Sequence, residues 1–439
     1  MRVFISTFLM CMMATPTLAE ESSSRLKLNG NFMTMIHFRT DSDFDPSERH
    51  YDKDGQTEGQ VASFFQPTFG IQASDNVRVV YKMELGWNAW SRNDPGQPNQ
   101  FLPSNQAGLS VRHKEIWAEW HNESVTLRTG YQHFADKSRL FLDHWGGLVS
   151  ADISLGKGKL GVMVGQLPEN TYEGVSIRDD NFVTDNVIGG LTWEHPLSDS
   201  LTVDVAAYGL YDNRSIDRPL TLSTLIAGVR YKAEGFKVWA HVLGQLGRWE
   251  NSGVAGSDQE IMAWAAQAGA CQKLGAFSWS ANVFALSADD EEHGNDLLGN
   301  FFGSGKNASR SLLLTEDEYR DRYDNIDERI ASQWGPFVVN RAGLVVSELA
   351  LSYRLGDWYR STLVTAVGMN LNPDNAFGNR YVGTELSLTQ DFTLNEHAGF
   401  FFNLLTFAPG TAASPFVNDV DREATQMLYG AAGGFKARF

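Results

Sequence analysis

Cysteine is almost missing from this chain, with 2 in 439 residues, Cys11 and Cys271. Cys11 falls in a leader-like N-terminus behind Met10, too large for the small residue of a lipoprotein site, so plain removal is expected. Cys271 then stands by itself, and no intramolecular disulfide forms. No run of roughly 18 consecutive apolar residues occurs, which excludes a bundle of membrane-spanning helices. Phosphate-cradling glycine loops, nucleophile elbows and zinc-ligand helices are absent from any supporting context. Basic residues are outnumbered: 36 Lys and Arg face 53 Asp and Glu, a net charge of −17. That balance disfavours nucleic acid as a partner.

The first residues read as an export signal. Met1 and Arg2 precede an apolar run from Val3 to Met13, then Pro16 and the small-residue site Thr17-Leu18-Ala19. We expect residues 1–19 to be a cleaved signal peptide and residues 20–439 the mature chain. Removal deletes one base, Arg2, and no acid, taking the net charge from −17 to −18. The acids gather between apolar segments, as in Asp289-Asp290-Glu291-Glu292 and Glu316-Asp317-Glu318, and read as solvated loops.

What is present is period-two alternation. Val77, Val79, Tyr81, Met83, Leu85 and Trp87 share one face, opposite Arg78, Lys82, Glu84 and Asn88. About 18 such segments recur, including 124–133 and 148–156, each near the roughly 10 residues a tilted strand needs to cross a membrane. Short Gly, Asn and Asp turns alternate with long linkers, among them 134–147 and 289–341. The expected fold is all-β, a transmembrane antiparallel up-and-down barrel of about 18 strands with short periplasmic turns and long external loops. Within 289–341, Thr315 to Glu318 resembles a capping box ahead of Tyr319, Tyr323, Ile326 and Ile330, predicting a short amphipathic helix over 316–331.

A charge facing lipid at mid-membrane costs about 2–4 kcal/mol for Arg or Lys, so the charged face belongs to the lumen. Alternation assigns Arg78, Lys82, Glu84, Glu115, Glu119, Arg128, Arg230, Lys232, Lys237, His241, Arg354, Arg360 and Glu385 to the pore wall. With Lys27, Asp152, Asp204 and Glu348 added, that wall leans basic, although the chain is acidic. Trp87, Trp90, Trp117, Trp120, Trp193, Trp239, Trp279 and Trp358 are expected to supply interfacial girdles. Arg112 and Lys114 read as snorkelling to the interface rather than binding lipopolysaccharide phosphates. Phe435 and Phe439 end the chain as an outer-membrane assembly signal.

Catalytic and metal readings rank below bland ones. His113, His121, His133 and His144 lie near Glu115, Glu119, Asp136 and Asp143, yet alternation scatters them over both faces. Asp41, Asp43 and Asp45 alternate as calcium-loop carboxylates do, but lack the glycine and terminal Glu at the required spacing. No cofactor is expected, and no enzyme activity. A barrel hydrolase and a structural or adhesion barrel stand as rival readings.

From Phe65 to Leu155 the order of segments resembles the outer-membrane homotrimeric porins of anaerobic Gram-negative bacteria, and more distantly the alginate-export and substrate-specific 18-stranded porins. The stretches are MELGWNAW (83–90), VRHKEIWAEW (111–120) and RTGYQHFADKSRLFLDHWGGLVSADISL (128–155). The resemblance implies a homotrimeric passive channel for small hydrophilic solutes, anionic or mixed, set among outer-membrane lipid and lipopolysaccharide. An exporter or specific channel for an acidic saccharide is the alternative.

Overall fold

The computed structural model describes residues 25–39, 58–89, 111–167, 186–212, 219–250, 257–289, 297–303, 310, 332–334, 337–339, 342–374, 378–410 and 427–439. The first strands are β1 (Leu26–Arg39), β2 (Glu58–Ser74), β3 (Val77–Ala89), β4 (Val111–His121), β5 (Val125–Ala135) and β6 (Asp143–Leu155). β7 (Gly158–Gln166), β8 (Asn186–Pro196), β9 (Leu201–Asp212), β10 (Leu220–Ala233), β11 (Phe236–Trp249), β12 (Gln259–Leu274) and β13 (Phe277–Leu286) follow. Four short strands come next: β14 (Leu297–Leu298), β15 (Phe302–Gly303), β16 (Ser332–Trp334) and β17 (Phe337–Val339). β18 (Leu344–Leu355), β19 (Tyr359–Met369), β20 (Tyr381–Asn395), β21 (Ala398–Pro409) and β22 (Leu428–Arg438) complete the chain.

Consecutive long strands pair antiparallel, β13 passes to β18, and β22 returns to β1, closing an 18-stranded barrel. β14 runs parallel to the loop end of β12, and β15, β17 and β16 form a small second sheet. The short turns share one end with Leu26 and Arg438, the turn end; the longer connections occupy the other, the loop end.

Alternation sets the two surfaces. On β10, Leu222, Thr224 and Ile226 are buried while Ser223, Leu225 and Ala227 are exposed. The outward face is apolar where it is most exposed, with Leu225 at 64 % and Met262 at 60 %. The inward face buries polar groups, with Gln245 at 1 % and His241 at 3 %. Burying an aliphatic side chain is worth about 1.5–3 kcal/mol, so such a belt calls for lipid around it. Outward aromatics collect near the turn end, where Phe277 packs on Tyr353 (4.8 Å) and Tyr359 on Phe392 (5.2 Å), beside Trp358.

Two girdle expectations are corrected. Trp117 and Trp239 point inward, because Trp117 shares parity with Glu115 and Glu119, and Trp239 stands opposite Arg230 and Gly269. The Trp87 side chain and Trp90 lie outside the described residues, as do the expected helix over 316–331, residues 1–19 and Asp41, Asp43 and Asp45. The linker expected over 134–147 is shorter: β5 runs to Ala135 and β6 begins at Asp143.

The seam between β1 and β22 is locked by the last residue. Phe439 and Gly30 exchange backbone hydrogen bonds of 3.1 and 3.0 Å, and the Phe439 ring stacks on Phe65 at 5.5 Å. Gly30 leaves room for that ring, since a Cβ there would lie 2.2 Å from it. Phe435 packs on Phe400 at 5.4 Å. Deleting Phe439, or making Phe435→Asp with Phe439→Asp, is expected to lower the folded, heat-modifiable fraction; an unchanged folded yield would refute this role for the seam.

Candidate functional site: a charge-segregated lumen

At the turn end of β3, β4 and β5, opposite charges meet across neighbouring strands. Arg78 lies opposite Glu119, and Glu119 opposite Arg128. The carboxylate of Glu119 accepts from Arg78 (3.1 Å) and from Arg128 through Nη2 (2.6 Å) and Nε (3.2 Å). Both guanidinium groups sit over the Trp117 ring, 5.1 and 4.4 Å from its centroid. Such stacking is worth about 0.5–2 kcal/mol and holds each cation in one orientation. The Trp117 indole N–H donates to Glu115 (2.9 Å), and Glu115 pairs with Lys82 (3.4 Å).

A β-bulge breaks the alternation above this cluster. Between Lys82 and Met83 the register with β4 shifts, so that Met83 faces His113. Lys114 consequently reaches Glu84 (3.3 Å) and lies 4.6 Å from the Trp145 ring, rather than snorkelling to the interface. The Arg112 side chain lies outside the described residues.

Across the barrel, Arg230 donates to Glu194 (2.6 Å) and Asp204 (3.2 Å). His241 is buried beside Asp204, 3.7 Å away. Arg354 bonds Asp357 in the adjoining turn (2.6 Å), and Lys436 pairs with Asp391. Lys232, Lys237 and Arg360 are exposed at the turn-end rim. Toward the loop end the buried inward charges are acidic, Glu84, Glu348, Glu385 and Asp212, with Lys114 beside Glu84. The wall is thus stratified, basic at the turn end and acidic above, where alternation had suggested only a basic lean.

Two segments fold into the lumen. β4 and β5 stay paired from His121 with Thr126 up to Ile116 with Tyr131, and part beyond it. The parting occurs at Gly130, whose φ of +128° suits glycine and whose Cβ, if present, would lie 2.2 Å from the Ile116 carbonyl oxygen. The connection 136–142 then turns inward to the wall at β8 and β9, with Lys137 on Glu194 (2.9 Å) and Phe141 against Tyr208 (5.6 Å between rings). Asp136 organises it, accepting from the Ser138 hydroxyl (2.5 Å) and from the amides of Ser138, Arg139, Phe141 and Leu142. Burial pushes the Asp136 carboxyl above the ordinary carboxylate range, opposed by these hydrogen bonds.

The second segment is 297–303. The Gln245 amide clamps Phe302, donating to its carbonyl (2.7 Å) and accepting from its N–H (2.9 Å). A Cβ on Gly303 would meet the Leu140 carbonyl oxygen at 2.2 Å, so the two inward segments touch. Leu140, Phe141, Leu142, Leu298, Phe301 and Phe302 are fully buried in one apolar cluster. From the same long loop, the Arg310 amide donates to Glu348.

The histidines of β4 and β5 go to separate partners. His113 stacks on Tyr81 (5.8 Å), His133 bonds Asp143 (2.7 Å), and His121 lies 4.0 Å from Glu119. Among the described residues no group of three or more His, Cys, Asp or Glu is placed to hold a metal ion. Sequence reading placed Trp117 and Lys114 at the membrane interface and missed Lys137 and Gln245. Parity along β4 carried the signal for Trp117, and Asp136-Lys137-Ser138 carried an Asx-turn signal for the inward connection.

Among solved structures, OccAB2 of Acinetobacter baumannii overlays with a TM-score of 0.57 at 10% identity, over 94% of this chain and 98% of that one. The outer membrane protein OpdK of Pseudomonas aeruginosa gives 0.54 at 9% identity, over 94% and 99%. OpdO of the same organism gives 0.53 at 13% identity, over 94% and 97%. The fold is that of an outer-membrane channel barrel. At these identities the likeness extends to fold and no further. Protein-family models give no match to the sequence, and curated proteins give none either.

Replacing Gln245 by Leu strands the Phe302 N–H and carbonyl in an apolar surround. At about 2 kcal/mol for the lost pairing, amide exchange over 297–303 is expected to accelerate roughly 30-fold while the barrel ladder stays protected. Equal exchange in wild type and variant would show that the clamp does not hold the segment.

Proposed function

We propose that this chain is a porin of the Gram-negative outer membrane, a passive diffusion channel for small hydrophilic solutes with a preference for anions. The observation that carries the reading is a closed barrel with an apolar outer belt and an ion-paired inner wall, basic where the lumen meets the turn end. In this reading the turn end faces the periplasm and residues 1–19 direct export. Phe435 and Phe439 are read during insertion, the barrels associate as trimers among lipid and lipopolysaccharide, and the protein performs no chemistry of its own. Arg78, Lys82, Arg128, Arg230, Lys232, Lys237, Arg354 and Arg360, with Glu84, Glu115, Glu119, His241 and Glu385, line the route. Acids of the outer loops act through bulk solvent, where screening over roughly 8–10 Å blunts them, while wall charges act at close range.

A second reading is a substrate-specific channel or exporter for an acidic saccharide. The inward segments 136–142 and 297–303 favour it, because they restrict the lumen with buried aromatic side chains. OpdK has also been solved with vanillate. Saturating block of single-channel current by one solute, at concentrations where its analogues pass freely, would establish specificity.

Reversal potentials in a salt gradient test selectivity. Wild type is expected to favour anions weakly, and Arg78→Glu with Arg128→Glu to move the reversal potential toward cations. Clear cation selectivity in wild type, or no shift in the variant, would transfer control to the loop-end acids. Absence of sustained conductance from folded protein would reject the channel itself.

A further inference from the structure

Among the inward cations of the turn half, a first group meets carboxylates: Arg78 and Arg128 on Glu119, Lys82 on Glu115, Arg230 on Glu194 and Asp204, Lys159 on Asp152 (2.9 Å), Arg354 on Asp357 and Lys436 on Asp391. Arg360 stands opposite Arg354 but also opposite Asp391, and Lys27 stands apart on β1. The second group meets cations instead. Lys232 on β10 and Lys237 on β11 are direct cross-strand partners. Lys237 is in turn opposite Cys271 on β12, and Lys273 follows two residues on, on the same face. Three ammonium groups therefore stand on three consecutive strands at one rim, all exposed.

Nothing among the described residues neutralises them. The inward acids on the neighbouring strands, Glu194 and Asp204, are engaged by Arg230 and Lys137. Asp199, beside the Ser200 carbonyl that accepts from the Lys232 amide, is exposed and forms no ion pair with a described residue. Glu234, in the turn joining β10 to β11, is exposed and forms no ion pair with a described residue. Like charges directly opposite one another destabilise a sheet, whereas opposite charges at such positions contribute roughly 0.2–1 kcal/mol. Side chains directly opposite have Cβ atoms about 4.5–5.5 Å apart, and same-face neighbours along a strand lie about 6–7 Å apart. Lys273 is the diagonal neighbour of Lys237, about 7–8 Å away by Cα, and the long flexible side chains of all three lysines let their ammonium groups converge on one small anion bearing several charges. A monovalent ion would balance one ammonium and leave the others facing each other.

We propose that Lys232, Lys237 and Lys273 form a binding site for a compact multivalent oxyanion at the turn-end mouth of the barrel. The site goes beyond the channel reading and does not depend on conductance, since an anion held at a rim is bound whether or not the lumen conducts. Its occupant is recognised by charge and size, a polyphosphate or a polycarboxylate, and the site neither makes nor breaks a covalent bond.

Cys271 is a native reporter. It is the half-buried inward neighbour of Lys237, and among the described residues it is the one free thiol. In the folded wild-type barrel in detergent at low salt, a negatively charged methanethiosulfonate is expected to modify Cys271 at least about tenfold faster than a positively charged one. The preference should collapse toward parity at 1 M salt, where the Debye length is about 3 Å. Inorganic pyrophosphate or citrate at millimolar concentration should slow the anionic reagent severalfold, and chloride at matched ionic strength should not. Cys271→Ser identifies the labelled position.

The triple variant Lys232→Gln, Lys237→Gln, Lys273→Gln should lose both the preference and the protection while remaining heat-modifiable; Lys→Arg at the three positions should keep them. Calorimetry of pyrophosphate and citrate binding to wild type and the Gln variant supplies a second readout, decisive if the thiol reacts with neither reagent. Measurable but equal reagent rates in wild type, a reactive thiol that neither anion protects, or binding heats unchanged by the Gln variant would each overturn the site. A barrel that fails to conduct but passes these tests would remove the porin reading and leave the site standing.

Discussion

Every backbone N–H and C=O of a lipid-embedded strand needs a partner within the protein, because hydrocarbon offers none. That constraint makes the pairing of β22 with β1 the condition for the whole structure, since an open sheet would leave two edges unsatisfied in the membrane. The arrangement at Gly30 follows from it. A glycine on the lipid side of β1 makes room for the terminal ring, and the ring covers the seam where the ladder closes.

Closure also decides what happens inside. Once the wall is continuous, polar residues that would be solvated on an open sheet face one another around a confined lumen. A charge there lowers its energy where an opposite one stands on a neighbouring strand. Arg78, Glu119 and Arg128 form one such ladder over Trp117, and Arg230, Glu194 and Asp204 form another. The excess of bases lies toward the turn end and the buried acids Glu84, Glu348, Glu385 and Asp212 toward the loop end, so the field inside the lumen changes sign along the barrel axis.

The inward segments pack on one another and are also held by the wall. Lys137 is tied to Glu194, and Phe302 is tied to Gln245. A charged contact near the turn end and a bidentate amide nearer the loop end thus anchor two pieces of the same apolar cluster. The ion pair weakens with salt where it is exposed, while the buried amide clamp does not.

Strand number, face assignment and the division into short turns and long connections were legible in the sequence, because a period of two is written locally and each residue's side follows from its neighbours. The inward positions of Arg78, Lys82, Arg128 and Arg230 rest on that periodicity. Tertiary structure decided the rest. One bulge beside Met83 turned Lys114 toward Glu84, one glycine conformation at Gly130 let the β5–β6 hairpin leave the wall, and Trp117 found its two guanidinium partners only after β3, β4 and β5 were in register. Such features depend on which strand lies beside which and on one-residue shifts in pairing. A pattern repeating every two residues carries the side of the sheet but not the partner across it.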